Sequence, residues 1–366
     1  MEEEQPCQNP GPFGTGLSVV RHSPVIGLSI WILGLMICAV LGYAQLPVKN
    51  RKLQHDPSSV KEFSLPNANS GPTTITFGPD GNLWFTEQQD RIGRISPAGT
   101  DLKEFPMPHA GSAPRIIAVG SDKNLWFSEH TGNRMGRMTP QGELAEFDIP
   151  TPDSQPRAIS LGADGAIWFG EFKGGKIGRV TTKGAITEFP IPTPESGPRA
   201  LATGPDGNVW FSEFNAGKIG RITPKGVITE FPLTGLNRGP GDITAGADGN
   251  MWFLELNGRM DGRVVDGNRV ARITRDGVIT EFPIPGPNAS PINIAVGPDR
   301  NVWFTMANRL GYVTAEGMVG TVDLPTPNSR PTGLSAGSDR QPPKRLFDQL
   351  WFTESGANKV GFLSFK

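Results

Sequence analysis

Seven tryptophans set the period of this chain. Trp84, Trp126, Trp168, Trp210, Trp252, Trp303 and Trp351 occupy the same place in recurring copies of one pattern, with spacings of 42 residues four times and then 51 and 48. A period near 40 must be settled before domains are counted, because a closed repeat array uses a chain of 366 residues as one unit. One clear copy, GPRALATGPDGNVWFSEFNAGKIGRITPKGVITEFPL from Gly197 to Leu233, holds four short apolar runs separated by Asp-Gly-Asn and Pro-Lys-Gly turns. Such turns between β-rich runs are hairpin signals. Helical repeats of this length would space apolar residues by three and four, which no copy does. The expected fold is all-β: a seven-bladed β-propeller of four-stranded antiparallel blades over residues 60–366.

A propeller must close, since its terminal blades would otherwise expose pairing edges. The chain stops after the third strand of the last copy (NKVGFLSFK), while a spare fourth strand, VKEFSLP, precedes the first copy at Val60 to Pro66. The N-terminal strand is therefore expected to complete the seventh blade. The 47 glycines and 35 prolines serve the turns. The 35 basic and 36 acidic residues leave a charge of -1, without the basic field that non-specific nucleic-acid binding needs. Both cysteines, Cys7 and Cys38, precede the repeats, so a disulfide, a thiolate nucleophile or a cysteine-bound metal is excluded from the propeller. Ring closure favours a monomer.

Residues 1–45 read as a targeting or anchoring segment and 46–59 as a linker. Val25 to Ala44 is an uncharged apolar run long enough to span a bilayer. The Gly42-x-Ala44 pair suits a cleaved signal peptide, whereas the long leader and its Glu2, Glu3 and Glu4 suit an uncleaved anchor. Either way the propeller is expected to be secreted or periplasmic, touching a membrane only through residues 25–44.

Strand order puts the links between blades and the turns between second and third strands on one upper face, where function is expected around the central channel. Directly after the proline that opens each innermost strand stand Thr73, Arg115, Arg157, Arg199, Gly241, Ile292 and Thr332. Three consecutive guanidinium groups beside a channel suit a small or peptide-like anionic ligand; the plainer reading pairs them with carboxylates of neighbouring blades. Glu129, Glu171 and Glu213 belong to a series at the ends of the second strands with Glu87, Glu255 and Glu354, interrupted by Met306. They read either as ligand-facing or as partners of the links and the following basic residue. Asp242 and Asn293, one residue after Gly241 and Ile292, are further polar candidates. His130 is a lone histidine on the upper face; His22, His55 and His109 lie elsewhere. Two insertions break the period, Asn257 to Arg269 on the upper face, suited to a lid, and Ser338 to Gln349 on the lower.

The repeated WF[TS]E…[KR][IMV]GR[IVM], followed by ITEFP[IL]P and a Ser-x-Pro link, resembles the streptogramin B lyase (virginiamycin B lyase) family over residues 60–366. The resemblance implies a carbon–oxygen lyase that opens a cyclic depsipeptide by elimination, with Mg²⁺ stabilising the enolate and a histidine as base. In that family a histidine follows the link proline of each of the last two blades, and two glutamates near the second hold the metal. The matching positions here are Ile292, Thr332, Arg330 and Ser355, so no catalytic residue is assigned. Three functions stay open: an exported binding propeller for an anionic ligand, a diverged C–O lyase or lactonase using Mg²⁺ or Ca²⁺, and a structural or protein-interaction propeller.

Overall fold

The computed structural model describes residues 59–235, 238–256, 267–286, 289–336 and 348–365, together with the backbone of 258–260 and 263–265. The signal or anchor segment and all but the last residue of the linker lie outside the described residues, as does most of the lower-face insertion. Seven four-stranded antiparallel sheets follow in chain order. Blade 1 spans Pro72–Pro106, blade 2 Pro114–Asp148, blade 3 Pro156–Pro190 and blade 4 Pro198–Pro232. Blade 5 spans Pro240–Pro283 and blade 6 Ile294–Asp323; blade 7 combines Pro331–Ser364 with the N-terminal strand Val60–Ser64. That strand pairs antiparallel with the last one in the chain, Val60 opposite Leu363 and Ser64 opposite Lys359. The upper-face insertion contributes a small hairpin of its own, Gly258–Met260 against Arg263–Val265.

The blades hold together through the Trp-Phe pair of each second strand. Successive residues of a strand point to opposite faces, so Trp84 packs with Phe127 of blade 2, while Phe85 packs with Trp351 of blade 7. All seven tryptophans are at most 1% exposed. Burying each contributes about 4 to 6 kcal/mol as an upper bound. Each Trp of blades 1–5 also stacks on the Phe of its own outermost strand at 5.3–5.5 Å between ring centroids. In blade 7 the N-terminal strand supplies the equivalent ring, Phe63, at 6.0 Å from Trp351.

The turn chemistry serves the same rings. In six blades the indole Nε1 donates to an aspartate four residues earlier, from Asp80 in blade 1 to Asp299 in blade 6, at 2.9–3.2 Å. In blade 7 Gln349 accepts instead, at 3.1 Å. Glycine is required where the chain passes the rings: a Cβ at Gly220 would lie 2.1 Å from Phe211 Cζ.

Candidate functional site

Six of the innermost strands share an irregularity that defines the site. Their opening proline pairs in register with the glutamate ending the second strand, as Pro198 does with Glu213, and the register then shifts before the next pair, Leu201 with Phe211. The same shift follows Pro72, Pro114, Pro156, Pro240 and Pro331. A bulge leaves its residues out of the ladder and re-aims them. Arg115, Arg157, Arg199 and Asp242 all stand in these bulges. The free amides are taken up by hydroxyls of the second strand: Ser212 Oγ accepts from Ala200 N–H at 3.1 Å, and Thr353 Oγ1 from Gly333 N–H at 2.8 Å. Thr86 Oγ1 donates to the carbonyl of Arg115 in the next blade at 2.8 Å. The Thr or Ser two residues after most of the tryptophans is thus a fixing point for the bulge. Sequence reasoning missed this role, although the repeated hydroxyl was a visible signal.

The re-aimed side chains converge. Arg115, Arg157, Arg199, Asp242, Asn293, Ile292 and Thr332 line one cavity of about 130 Å³ at the upper mouth of the channel. Arg157 lies over the Phe172 ring, 4.1 Å from its centroid, and Arg199 over Phe214 at 5.2 Å, so two guanidinium groups have an aromatic face to rest on. In blade 5, Gly241 leaves room for Leu256: a Cβ there would lie 2.7 Å from Leu256 Cδ2. Asn293 is held in one orientation, because its Oδ1 accepts the Leu334 N–H at 2.8 Å and its amide therefore donates to Asp242 Oδ2. Burial raises the Asp242 pKa above its ordinary value, against the pull of Arg199, Asn293, Arg115 and Arg157.

A second cavity of about 160 Å³ adjoins the first through shared walls at Thr74, Ile116, Arg199, Asp242 and Asn293. One aliphatic residue from every blade lines it: Ile75, Ile117, Ile159, Leu201, Ile243, Ile294 and Leu334. These seven side chains are buried in the packing between blades, and Arg199, Asp242 and Asn293 keep the inner cavity polar as well.

Glu129, Glu171 and Glu213 are placed elsewhere. They line neither cavity and, with Glu87, Glu255 and Glu354, are fully buried. Arg91 reaches Glu87 at 3.0 Å and Arg134 reaches Glu129 at 3.2 Å, both from the third strand, while Arg238 of the preceding link reaches Glu255 at 2.9 Å. Each faces a second glutamate from an outermost strand, as Glu213 faces Glu230, which Lys218 holds at 3.3 Å. Burial first, and then this second carboxylate, push Glu87, Glu129, Glu171, Glu255 and Glu354 up to about 7 and Glu213 to about 8. In blade 6 both members of the pair are replaced together, by Met306 and Thr321. His130 Nδ1 lies 3.3 Å from the carbonyl of Pro156, and His109 lies 3.2 Å from Glu146; neither lines the two cavities. Among the described residues, no group of three or more His, Cys, Asp or Glu side chains is arranged to hold a metal ion.

No functionally curated protein matches the chain by sequence. Among solved structures, virginiamycin B lyase from Staphylococcus aureus superposes with a TM-score of 0.76 at 34% identity, over 84% of this chain and 99% of that one. A streptogramin B lyase structure matches with a TM-score of 0.75 at 34% identity over 84% and 97%. A catalytically inactive histidine-to-alanine variant of the Staphylococcus aureus enzyme, with quinupristin, gives a TM-score of 0.75 at 34% over 84% and 99%. At 15% identity and a TM-score of 0.67, Kuenenia stuttgartiensis hydrazine synthase shares the fold alone. The sequence profile of the Virginiamycin B lyase family matches residues 51–266 and 263–366. This chain belongs to the virginiamycin B lyase family.

Proposed function

We propose that this chain is an exported member of its family that binds a small or peptide-like anionic ligand at the upper mouth of the channel and does not run the family's elimination. The observation that carries the reading is the shared lining of one cavity: Arg115, Arg157 and Arg199 face the same space as Ile292 and Thr332. The family resemblance assigns those last two positions to catalytic histidines. Neither side chain can accept a proton near neutral pH. The positions assigned to the Mg²⁺ ligands do not fit a cation. Arg330 brings a guanidinium instead of an oxygen donor, and Ser355 Oγ is engaged with the Arg330 carbonyl at 3.1 Å. Three arginines line the cavity beside these positions, which favours carboxylate or other oxyanion ligands. Export rests on the apolar run Val25 to Ala44.

The melting temperature of the purified protein tests this, because a ligand selective for the folded state raises it. Anionic metabolites are expected to raise it in EDTA, and Arg157→Ala is expected to remove the effect. A rise that requires Mg²⁺ or Ca²⁺ would instead support a diverged lyase or lactonase, and no rise with any anion or metal would leave a structural propeller.

A further inference from the structure

We propose that the ligand is an α-hydroxycarboxylate, its carboxylate held by Arg115, Arg157 and Arg199 and its hydroxyl donating to Asp242. The inference rests on the anion-binding reading and narrows it to one chemical class.

The order of the blades sets the two contacts side by side. Arg115, Arg157 and Arg199 stand at the start of the innermost strands of blades 2, 3 and 4, and Asp242 belongs to the next blade in the ring. All four line the mouth, and Arg199 and Asp242 line the inner cavity as well. The meeting point of the two cavities therefore presents a permanently charged donor beside an acceptor. A carboxylate lying against the arginines turns the substituent on its neighbouring carbon towards blade 5. Asp242 is itself held in place, because Asn293, whose Oδ1 accepts the Leu334 amide, donates to its Oδ2. That bond uses one of the roughly four acceptor sites of a carboxylate.

Three substituents could occupy the place beside Asp242, and the charges choose among them. An ammonium donates to Asp242 but stands beside three guanidinium groups, which outnumber the one carboxylate among the described residues lining the mouth. A methyl group displaces water from Asp242 and returns no hydrogen bond. A hydroxyl donates to the carboxylate, accepts from a guanidinium and adds no charge. The size agrees. A cavity of about 150 Å³ admits benzene, so the mouth, at about 130 Å³, takes on the order of five or six non-hydrogen atoms, which glycolate and lactate match.

Calorimetric titration of the full chain with glycolate, acetate and glycine, at a pH above the raised Asp242 value, decides the matter. A hydrogen bond to a charged group is expected to make glycolate bind about tenfold more tightly than acetate, and glycine is expected to bind more weakly than acetate. In Asp242→Asn the preference for glycolate over acetate is expected to disappear, because the new side chain offers its oxygen to Asn293 and turns its amide to the ligand. If that variant fails to fold, the series on the unaltered protein decides alone. Equal affinity for glycolate and acetate, or tightest binding of glycine, would overturn the ligand class while leaving the anion-binding mouth intact. A preference that survives in Asp242→Asn would overturn the contact with Asp242. Failure of all three to bind would overturn the ligand class and the anion-binding reading together.

Discussion

Two rings of residues stand side by side on the upper half of this propeller, and they behave in opposite ways. The glutamates that end the second strands pair in register with the prolines that open the innermost strands, and the channel-facing residues follow those prolines directly. The glutamate ring is uniform. It is present in every blade but the sixth, buried each time, faced by a second carboxylate in each of those blades and met directly by an arginine in three of them. The ring beside it changes from blade to blade: Thr, Arg, Arg, Arg, Gly, Ile, Thr. A feature that six blades repeat answers a need those blades share, which here is to hold a link against a sheet. Variation among units that otherwise copy one another is where a ligand makes its demands.

Five substitutions or titrations would break or sharpen that contrast. The largest effect belongs to the scaffold. Trp210→Ala is expected to lower unfolding stability in urea by about 4 kcal/mol, while the folded fraction keeps its ligand affinity. Arg157→Ala should do the reverse. It removes a charge-assisted contact on the order of 3 kcal/mol, so carboxylate affinity measured by calorimetry is expected to fall about a hundredfold with a smaller loss of stability than Trp210→Ala.

The third concerns pH. The six buried glutamates have pKa values raised by burial to about 7 or 8. Their stabilisation is complete below the unfolded carboxyl value and is lost as pH climbs through the folded one. Glu62, Glu188 and Glu230 are lowered instead, and their contribution is lost as pH falls below the ordinary carboxyl range. The melting temperature should therefore peak near the ordinary carboxyl value of 4.5, drop several degrees between about pH 5 and 7, and change little above about pH 8. Glu213→Gln, which mimics the protonated group, is expected to recover part of that drop at pH 8.5 and to change little at pH 5. A flat profile would show that the glutamate ring is not held by protonation.

The fourth and fifth effects are smaller. At a pH above the raised Asp242 value, Asp242→Asn takes one negative charge away from the mouth and is expected to tighten carboxylate binding about tenfold, roughly 1.4 kcal/mol. Gln155 adopts a left-handed backbone (φ 54°) before its link proline, where blades 1 and 4 use Gly71 and Gly197 (φ 61° and 65°). Gln155→Gly is expected to stabilise the protein by about 0.5 kcal/mol in a urea titration.

Much of this molecule was legible in its sequence, because the repeat states the same physical requirement several times over. The tryptophan period, the turn residues and the spare strand VKEFSLP specified seven blades and their closure, and Val60–Ser64 indeed completes blade 7. Arg115, Arg157, Arg199, Asp242 and Asn293 were singled out from their position after the link prolines, and the structure brings them to one cavity. The same reasoning set Glu129, Glu171 and Glu213 beside them as ligand candidates, whereas they turn away from the channel into the blade packing. Alternation along a strand decides that direction, and a pattern of glutamates alone does not reveal which face is which. The bulge was harder to see. It depends on a hydroxyl in the second strand meeting a free amide in the first, a contact between hairpin arms that no local motif announces. The Ile and Leu residues that border the inner cavity read as ordinary core, and they are buried as such between the blades.

The central claim is that the ligand meets the variable ring and not the uniform one. A crystal structure of the protein soaked with valerate tests it most directly. The account predicts a carboxylate in contact with the guanidinium groups of Arg157 and Arg199 at the channel mouth. A ligand seated among the buried glutamates or on the lower face, with the channel mouth holding only water, would contradict it.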